Sequence, residues 1–234
     1  MGTNPCPAAG FNACAELNRP GLLLLNNVVY IAFGAAVCDN ADSHGWVFAY
    51  SVPDMTRLDA YNTSPQSWGA GIWQSGAGLA ADPARQLIYA FTGNNGDANW
   101  IAARQTGQSP NRDDLYHPSR TELGQSLLKL RLGPDRKFEC DHMVGQNCVP
   151  EHFTAGNWYR LDTGYHSPTE QQQQQQGLPL LRGDSDIGSG GPVVLSNGWV
   201  VGGGKQGVIY VSDPTDIKHA KQGFRRSSIL GPLG

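Results

Sequence analysis

Two glycine-rich segments hold the residues of this chain whose types could do chemistry. In the first, Trp73 and Gln74 lie among Gly71, Gly76 and Gly78, where a ring and an amide either fill a packed junction or form a pocket lip. In the second, Asp186–Asp213, Asp186 precedes Gly188-Ser189-Gly190-Gly191 and Lys205 follows Gly202–Gly204. A carboxylate at that place caps the turn by accepting backbone N–H bonds, touches a ligand, or takes up a proton. A lysine there is a solvated charge on a turn or a cation that meets a ligand. Gly202–Gly204 gives no dinucleotide fingerprint, because no helix follows to present its N-terminus. The histidines show no metal-ligand spacing, and Arg182-Gly183-Asp184 reads as a chance adhesion tripeptide.

Short apolar runs must position these residues. Asp186–Asp213 contains three, Pro192–Leu195, Trp199–Gly203 and Val208–Ser212, separated by glycine-rich turns. The layout occurs twice earlier, as GLLLLNNVVYIAFG, HGWVFAYS and RLDAYNTS, then as GAGLAADPARQLIYAFTG and GQSLLKLRL. Strands are expected over Val28–Phe33, Trp46–Tyr50, Leu87–Phe91 and Leu127–Leu132, rich in β-branched, aromatic and aliphatic residues, with Asn26-Asn27 as a hairpin turn. A four-strand unit repeated along a chain predicts a β-propeller, one blade per unit. The fold class is therefore all-β, a partial β-propeller of about three blades over residues 19–215. Residues 1–18 read as a tether, 94–122 and 141–183 as irregular inserts, and 216–234 as a tail. The third repeat lacks a convincing fourth strand, although an outer strand is conceivable near Gly223–Ile229. Three blades leave two apolar faces unburied, so the chain reads as a fragment or as one arc of an assembly.

Bulk composition agrees with this reading. Among 234 residues, 30 glycines, 15 prolines and only 16% charged residues suit many tight turns and not long helices. A net charge of −3 gives no field for nucleic acid, and no apolar run is long enough to span a membrane. Residues 1–20 lack the pattern of a signal peptide. Of five cysteines, Cys6 with Cys14 and Cys140 with Cys148 each lie close enough to close a short loop, leaving Cys38 over. Asn62-Thr63-Ser64 is a glycosylation sequon, and Gln171–Gln176 reads as a loop expansion.

The ordered set GIWQSGAGL at 71–79, YAFTGN at 89–94 and GGGKQGVIYVSD at 202–213 resembles the quinoprotein-like β-propeller superfamily. That superfamily includes the pyrroloquinoline quinone (PQQ)-dependent alcohol dehydrogenases, and secreted propeller proteins related to them look most similar. The resemblance implies PQQ and calcium as possible cofactors. It puts Asp186 at the position of the catalytic base, with Asp184 a competitor, and Lys205 at the quinone-contacting cation. Trp73 and Gln74 become candidate cofactor contacts, and Asn94 a candidate calcium ligand beside Asn95 and Asn99. Three positions depart from the family pattern. Gly76 stands where the quinone-stacking Trp is expected, Asp39, Asn40 and Asp42 replace the calcium-binding Glu before Gly45, and the adjacent-cysteine pair is missing. The leading expectation is a binding or scaffolding module without redox activity, in an extracellular or secretory setting. Its partner is expected to be the remaining propeller blades, another chain or a small-molecule ligand. The alternatives are a PQQ- and calcium-dependent alcohol or sugar dehydrogenase, and a structural remnant that does not fold alone.

Overall fold

A computed structural model describes residues 10–36, 43–65, 68–96, 123–154, 187–205 and 208–225, with side chains up to residue 218 apart from those of 96 and 208. Strict alternation builds the first sheet. Its strands are β1 (Glu16–Leu17), β2 (Leu23–Leu25), β3 (Val28–Ala35), β4 (Trp46–Ser51) and β5 (Arg57–Asn62). They run antiparallel as β2–β3–β4–β5, and β1 pairs with the far end of β3. Asn26 and Asn27 turn β2 into β3 with φ of 51° and 57°, a left-handed pair that asparagine tolerates. Because side chains alternate across a strand, Val28, Tyr30, Ala32, Val47, Ala49 and Tyr61 enter one buried cluster. Val29, Ile31 and Phe33 point to the other face, together with Trp46, Phe48 and Tyr50.

From there β6 (Trp68–Gly69) leads into the second sheet, whose first strands are β7 (Ala80–Asp82) and β8 (Leu87–Phe91). β9 (Asn95–Gly96) pairs back onto β6. The sheet continues with β10 (Ser126–Leu130), a hairpin of β11 (His142–Val144) and β12 (Asn147–Val149), and β13 (Glu151–Thr154), in the order β7–β8–β10–β13. All five residues of β8 are buried, as expected of a continuous apolar run covered on both sides. Ile88, Ala90, Leu128 and Leu130 pack toward the first sheet. Leu87, Tyr89, Phe91, Leu127 and Phe153 pack toward the third, against Val200, Tyr210 and Ile217.

The third sheet is β14 (Val193–Val194), β15 (Val200–Gly203), β16 (Val208–Asp213) and β17 (Asp216–Arg225), again antiparallel in chain order. The architecture is thus all-β, with three antiparallel sheets of five, four and four strands stacked face on face and none of them closed on itself. Helical structure among the described residues is confined to 3-10 turns at Gln74–Gly76 and Ile187–Ser189. None is long and apolar enough to cross a membrane.

Three segments differ from the sequence expectation. The third sheet has its fourth strand, β17, ten residues long and starting at Asp216, where a tail was expected. Its composition is polar because it is an outer strand, and only its pairing with β16 and the fully buried Ile217 give it away. The expected insert at 141–183 contains the β11–β12 hairpin and β13, which pairs with β10 through Ser126–Lys129. The expected tether at 1–18 is, in its described part, docked on the first sheet. Phe11 sits edge-on to Phe33, Trp46 and Phe48 with ring centroids 4.9–6.0 Å apart. A single aromatic in a polar stretch carries no periodic signal.

Candidate functional site

The glycine-rich loops all emerge at one end of the stack, where the last residues of β8 and β15 meet the start of β10. Glycine is required there by close backbone approach. A Cβ on Gly188 would lie 2.6 Å from the carbonyl carbon of Thr92, and one on Gly191 would lie 2.6 Å from the Cβ of Ala77. Gly202 faces the ring of Phe91 in the same way. The run Gly188–Gly191 therefore joins the third sheet to the second.

Each sequence-nominated residue can be placed against this frame, except Asp186, which lies outside the described residues together with Asp184 and Asn99. Gln74 is fully buried with φ of 50°. Its amide donates to the Gly78 carbonyl at 2.9 Å and accepts from the Phe91 N–H at 3.1 Å, so it ties the loop to β8. Trp73 is half-buried over Gly34 and Gly71, whose hypothetical Cβ atoms would come within 3.2 Å of the indole. The Arg19 guanidinium stands over the same ring, 4.9 Å from its centroid. Asn94 accepts through Oδ1 from the Nε2 of Gln125, and the Oε1 of Gln125 accepts from the Ile187 N–H at 2.9 Å. Lys205 is exposed on the turn after β15. Gly76, with φ of 84°, has open space where a side chain would stand.

Two polar groups at this end were missed by sequence reasoning. Gln125 links the Asn94 and Ile187 loops as described, and nothing in its polar neighbourhood distinguishes it from a loop residue. Glu16 is 5% exposed and accepts from the His44 backbone N–H at 2.8 Å, while its Oε2 has no hydrogen-bond partner. It thereby brings a carboxylate to the segment just before Gly45, where the sequence between β3 and β4 offers no glutamate. Burial pushes its carboxyl up to about 7, opposed by the His44 N–H and more weakly by the Trp46 indole, which makes no hydrogen bond of normal geometry. His44 in turn faces Ser64 through Nδ1, 2.9 Å from the carbonyl and 3.3 Å from the hydroxyl.

At the opposite end, a cleft of about 570 Å³ opens between the second and third sheets. Arg85, Lys129 and Arg131 line it with Glu139, Asp141 and Glu151. Its cations are engaged: Arg85 with Asp82 at 2.6 Å, Lys129 with Glu151 at 2.8 Å, and Arg131 with Glu139 at 2.5 Å. Among the described residues no group of three or more His, Cys, Asp or Glu is arranged to hold a metal ion. A disulfide joins Cys140 to Cys148 beside this cleft, and Cys14 is also disulfide-bonded. Cys6, its expected partner, lies outside the described residues, as does Cys38.

No family model and no curated protein matches this chain. Among solved structures it is similar to the quinohemoprotein alcohol dehydrogenase ADHIIG from Pseudomonas putida HK5, with 15% sequence identity and a TM-score of 0.45. The match covers 86% of this chain and 27% of that one, so the chain spans about a quarter of the length of that protein.

Proposed function

We propose that the chain is an open, three-blade arc of a quinoprotein-like β-propeller that serves as a binding or scaffolding module and carries no redox activity. Three consecutive antiparallel sheets, with β2–β5, β7–β8–β10–β13 and β14–β17 paired in chain order and the second sheet packed through opposite faces on the first and the third, support the propeller reading. The observation that carries the functional reading is the engagement of the loop-end polar groups with one another. Asn94 serves Gln125, Gln74 serves the backbone of Gly78 and Phe91, and the Trp73 ring is packed against glycine backbone and Arg19.

The described residues do not fit a quinone and its calcium. A quinone needs an open aromatic platform, and calcium needs six to eight oxygens held around one point. Here the nominated calcium ligand, Asn94, already accepts from Gln125, and among the described residues no carboxylate cluster accompanies it. We therefore derive no step through either group. The Cys140–Cys148 disulfide favours an oxidising, extracellular or secretory setting.

Titrating the purified chain with PQQ and calcium, while following quinone absorbance, tests this reading. The expected result is no saturable, calcium-dependent change. Micromolar binding that depends on calcium and disappears in Lys205→Ala would falsify it, and would establish a quinone site around Lys205.

A further inference from the structure

The N-terminal segment is held on the first sheet by few groups, and one of them is a buried acid. Residues 11–17 run beside the end of β3, where β1 pairs Glu16 with Ala35 and Leu17 with Gly34. The Ala36 N–H donates to the Ala15 carbonyl at 2.7 Å, and Phe11 lies edge-on to Phe33, Trp46 and Phe48. Ala15 and Glu16 are buried, whereas Ala13, Cys14 and Leu17 are exposed. Just beyond, Asn18 donates through Nδ2 to the Ala32 carbonyl at 2.8 Å and fixes the base of the segment. Residues 11–17 thus form a strap, anchored at Asn18 and closed over three aromatic rings of the first sheet.

Closure turns on Glu16. Its Oε1 accepts from the His44 N–H at 2.8 Å, but Oε2 is buried without a hydrogen-bond partner. Protonated, the carboxyl leaves a neutral group there; ionised, it leaves a buried charge with one oxygen unmet. Among the described residues no cation forms an ion pair with it. His44, from the segment before β4, offers its backbone N–H and turns its ring to Ser64. Trp46, from β4, brings an uncharged indole out of hydrogen-bonding geometry, and β3 places Ala35 opposite. Opening the strap at Asn18 returns the carboxylate to water, while β2–β5 keep their own pairing. The rise of the Glu16 carboxyl to about 7 agrees with this geometry.

We propose that Glu16 is an acid-closed latch: protonated it holds residues 11–17 on the first sheet, and ionised it lets them open and uncover Phe33, Trp46 and Phe48. Closure is complete below the ordinary 4.5 and weakens as pH rises through 7. With those two values, the ratio of closed to open strap falls roughly 70-fold from pH 5 to pH 8. The latch goes beyond the scaffolding reading, because it sets how much aromatic surface the chain presents and not what the loop end binds.

Amide hydrogen exchange of the full chain between pH 5 and pH 8, expressed as protection relative to unstructured peptide at each pH, tests it. The reporters are the Ala36 and His44 amides, which belong to the sheet side and donate to the strap. Both should exchange faster than the amides of β8 at every pH, because a local opening frees them. Their protection should fall roughly 70-fold over this range in the parent and stay level in Glu16→Gln. Three results overturn the proposal: reporters as slow as β8, so that the strap opens only with the whole chain; constant protection in the parent; or an equal fall in Glu16→Gln. Phe11→Ala keeps Glu16 in place and should speed the same two amides at pH 5. Unchanged exchange in that variant overturns the strap as well.

Discussion

Replacing Gly202 by alanine probes the junction of the second and third sheets most sharply. A Cβ there would lie 3.0 and 3.1 Å from Cζ and Cδ2 of Phe91, and closer still to Cε2. Carbon atoms pack best at about 3.5–4.0 Å, so the ring must retreat by roughly 1 Å. Phe91 has nowhere to go without moving others, being 0% exposed in a cluster with Leu127, Phe153, Ile187 and Val200. Overpacking of this kind costs about 1–3 kcal/mol, which for a chain of this size lowers Tm by roughly 2–4 °C per kcal/mol. Phe91→Leu shortens the ring's reach and should relieve part of the Gly202→Ala cost. Urea unfolding of the parent, both single variants and the double variant gives the coupling. We expect the double variant to be more stable than the sum of the singles predicts by at least about 0.5 kcal/mol. Additive losses, or an unperturbed Gly202→Ala, would refute the placement of Phe91 against β15.

Further predictions concern charge, crosslinks and the polar loop end. Glu16 has a folded pKa of about 7, above its ordinary 4.5, so its contribution to stability is complete below 4.5 and is lost as pH rises through 7. Glu16→Gln should remove that loss and gain on the parent between pH 5 and pH 8 by up to about 3 kcal/mol, read from urea midpoints. Asp141 acts in the opposite sense: a hydrogen bond from Lys218 holds it below the usual carboxylate range, so its contribution is lost as pH falls through that range. The parent, unlike Glu16→Gln, should therefore show a sloping loss toward alkaline pH, and Lys218→Ala should flatten the acid limb. Replacing Cys140 and Cys148 by serine opens a loop with a sequence separation of 8 and should cost about 2–3 kcal/mol in chemical denaturation. Gln125→Leu removes the partner that the Ile187 N–H and the Asn94 side-chain Oδ1 share, at a cost of about 1–3 kcal/mol in the same assay.

How much of this was legible in the sequence depended on burial. β8 appears over Leu87–Phe91 with the expected bounds, because LIYAF is apolar on both faces and has only one way to satisfy them. Val28–Phe33 and Val208–Ser212 were likewise visible, flanked by Asn-Asn and glycine turns, and the strands run on to Ala35 and Asp213. The outer strands were not. EHFT in β13 is half buried, DIKHAKQGFR in β17 carries few apolar residues, and the pairing of each comes from the neighbouring strand. The loop end was legible in type but not in role. The glycines at 188–191 and 202 were visible as a motif, whereas their purpose, admitting the Thr92 backbone and the Phe91 ring, depends on contacts far apart in sequence. Glu16 could not be foreseen beside His44, because only the pairing of β1 with the end of β3 brings it to a residue 28 positions away.

Amide hydrogen exchange of the full chain, alone and with PQQ and calcium, tests most directly whether the loop end is closed by its own packing. Thr92 N–H bonds to Ser126, Gly188 N–H to Thr92, and Gln125 N–H to Gly93, at 2.8–3.1 Å. These amides and that of Ile187 should exchange as slowly as the strand amides of β8 and should not change when quinone and calcium are added. Fast exchange in the free chain that becomes slow with both ligands present would contradict the account, since it would make this end a site awaiting its cofactor.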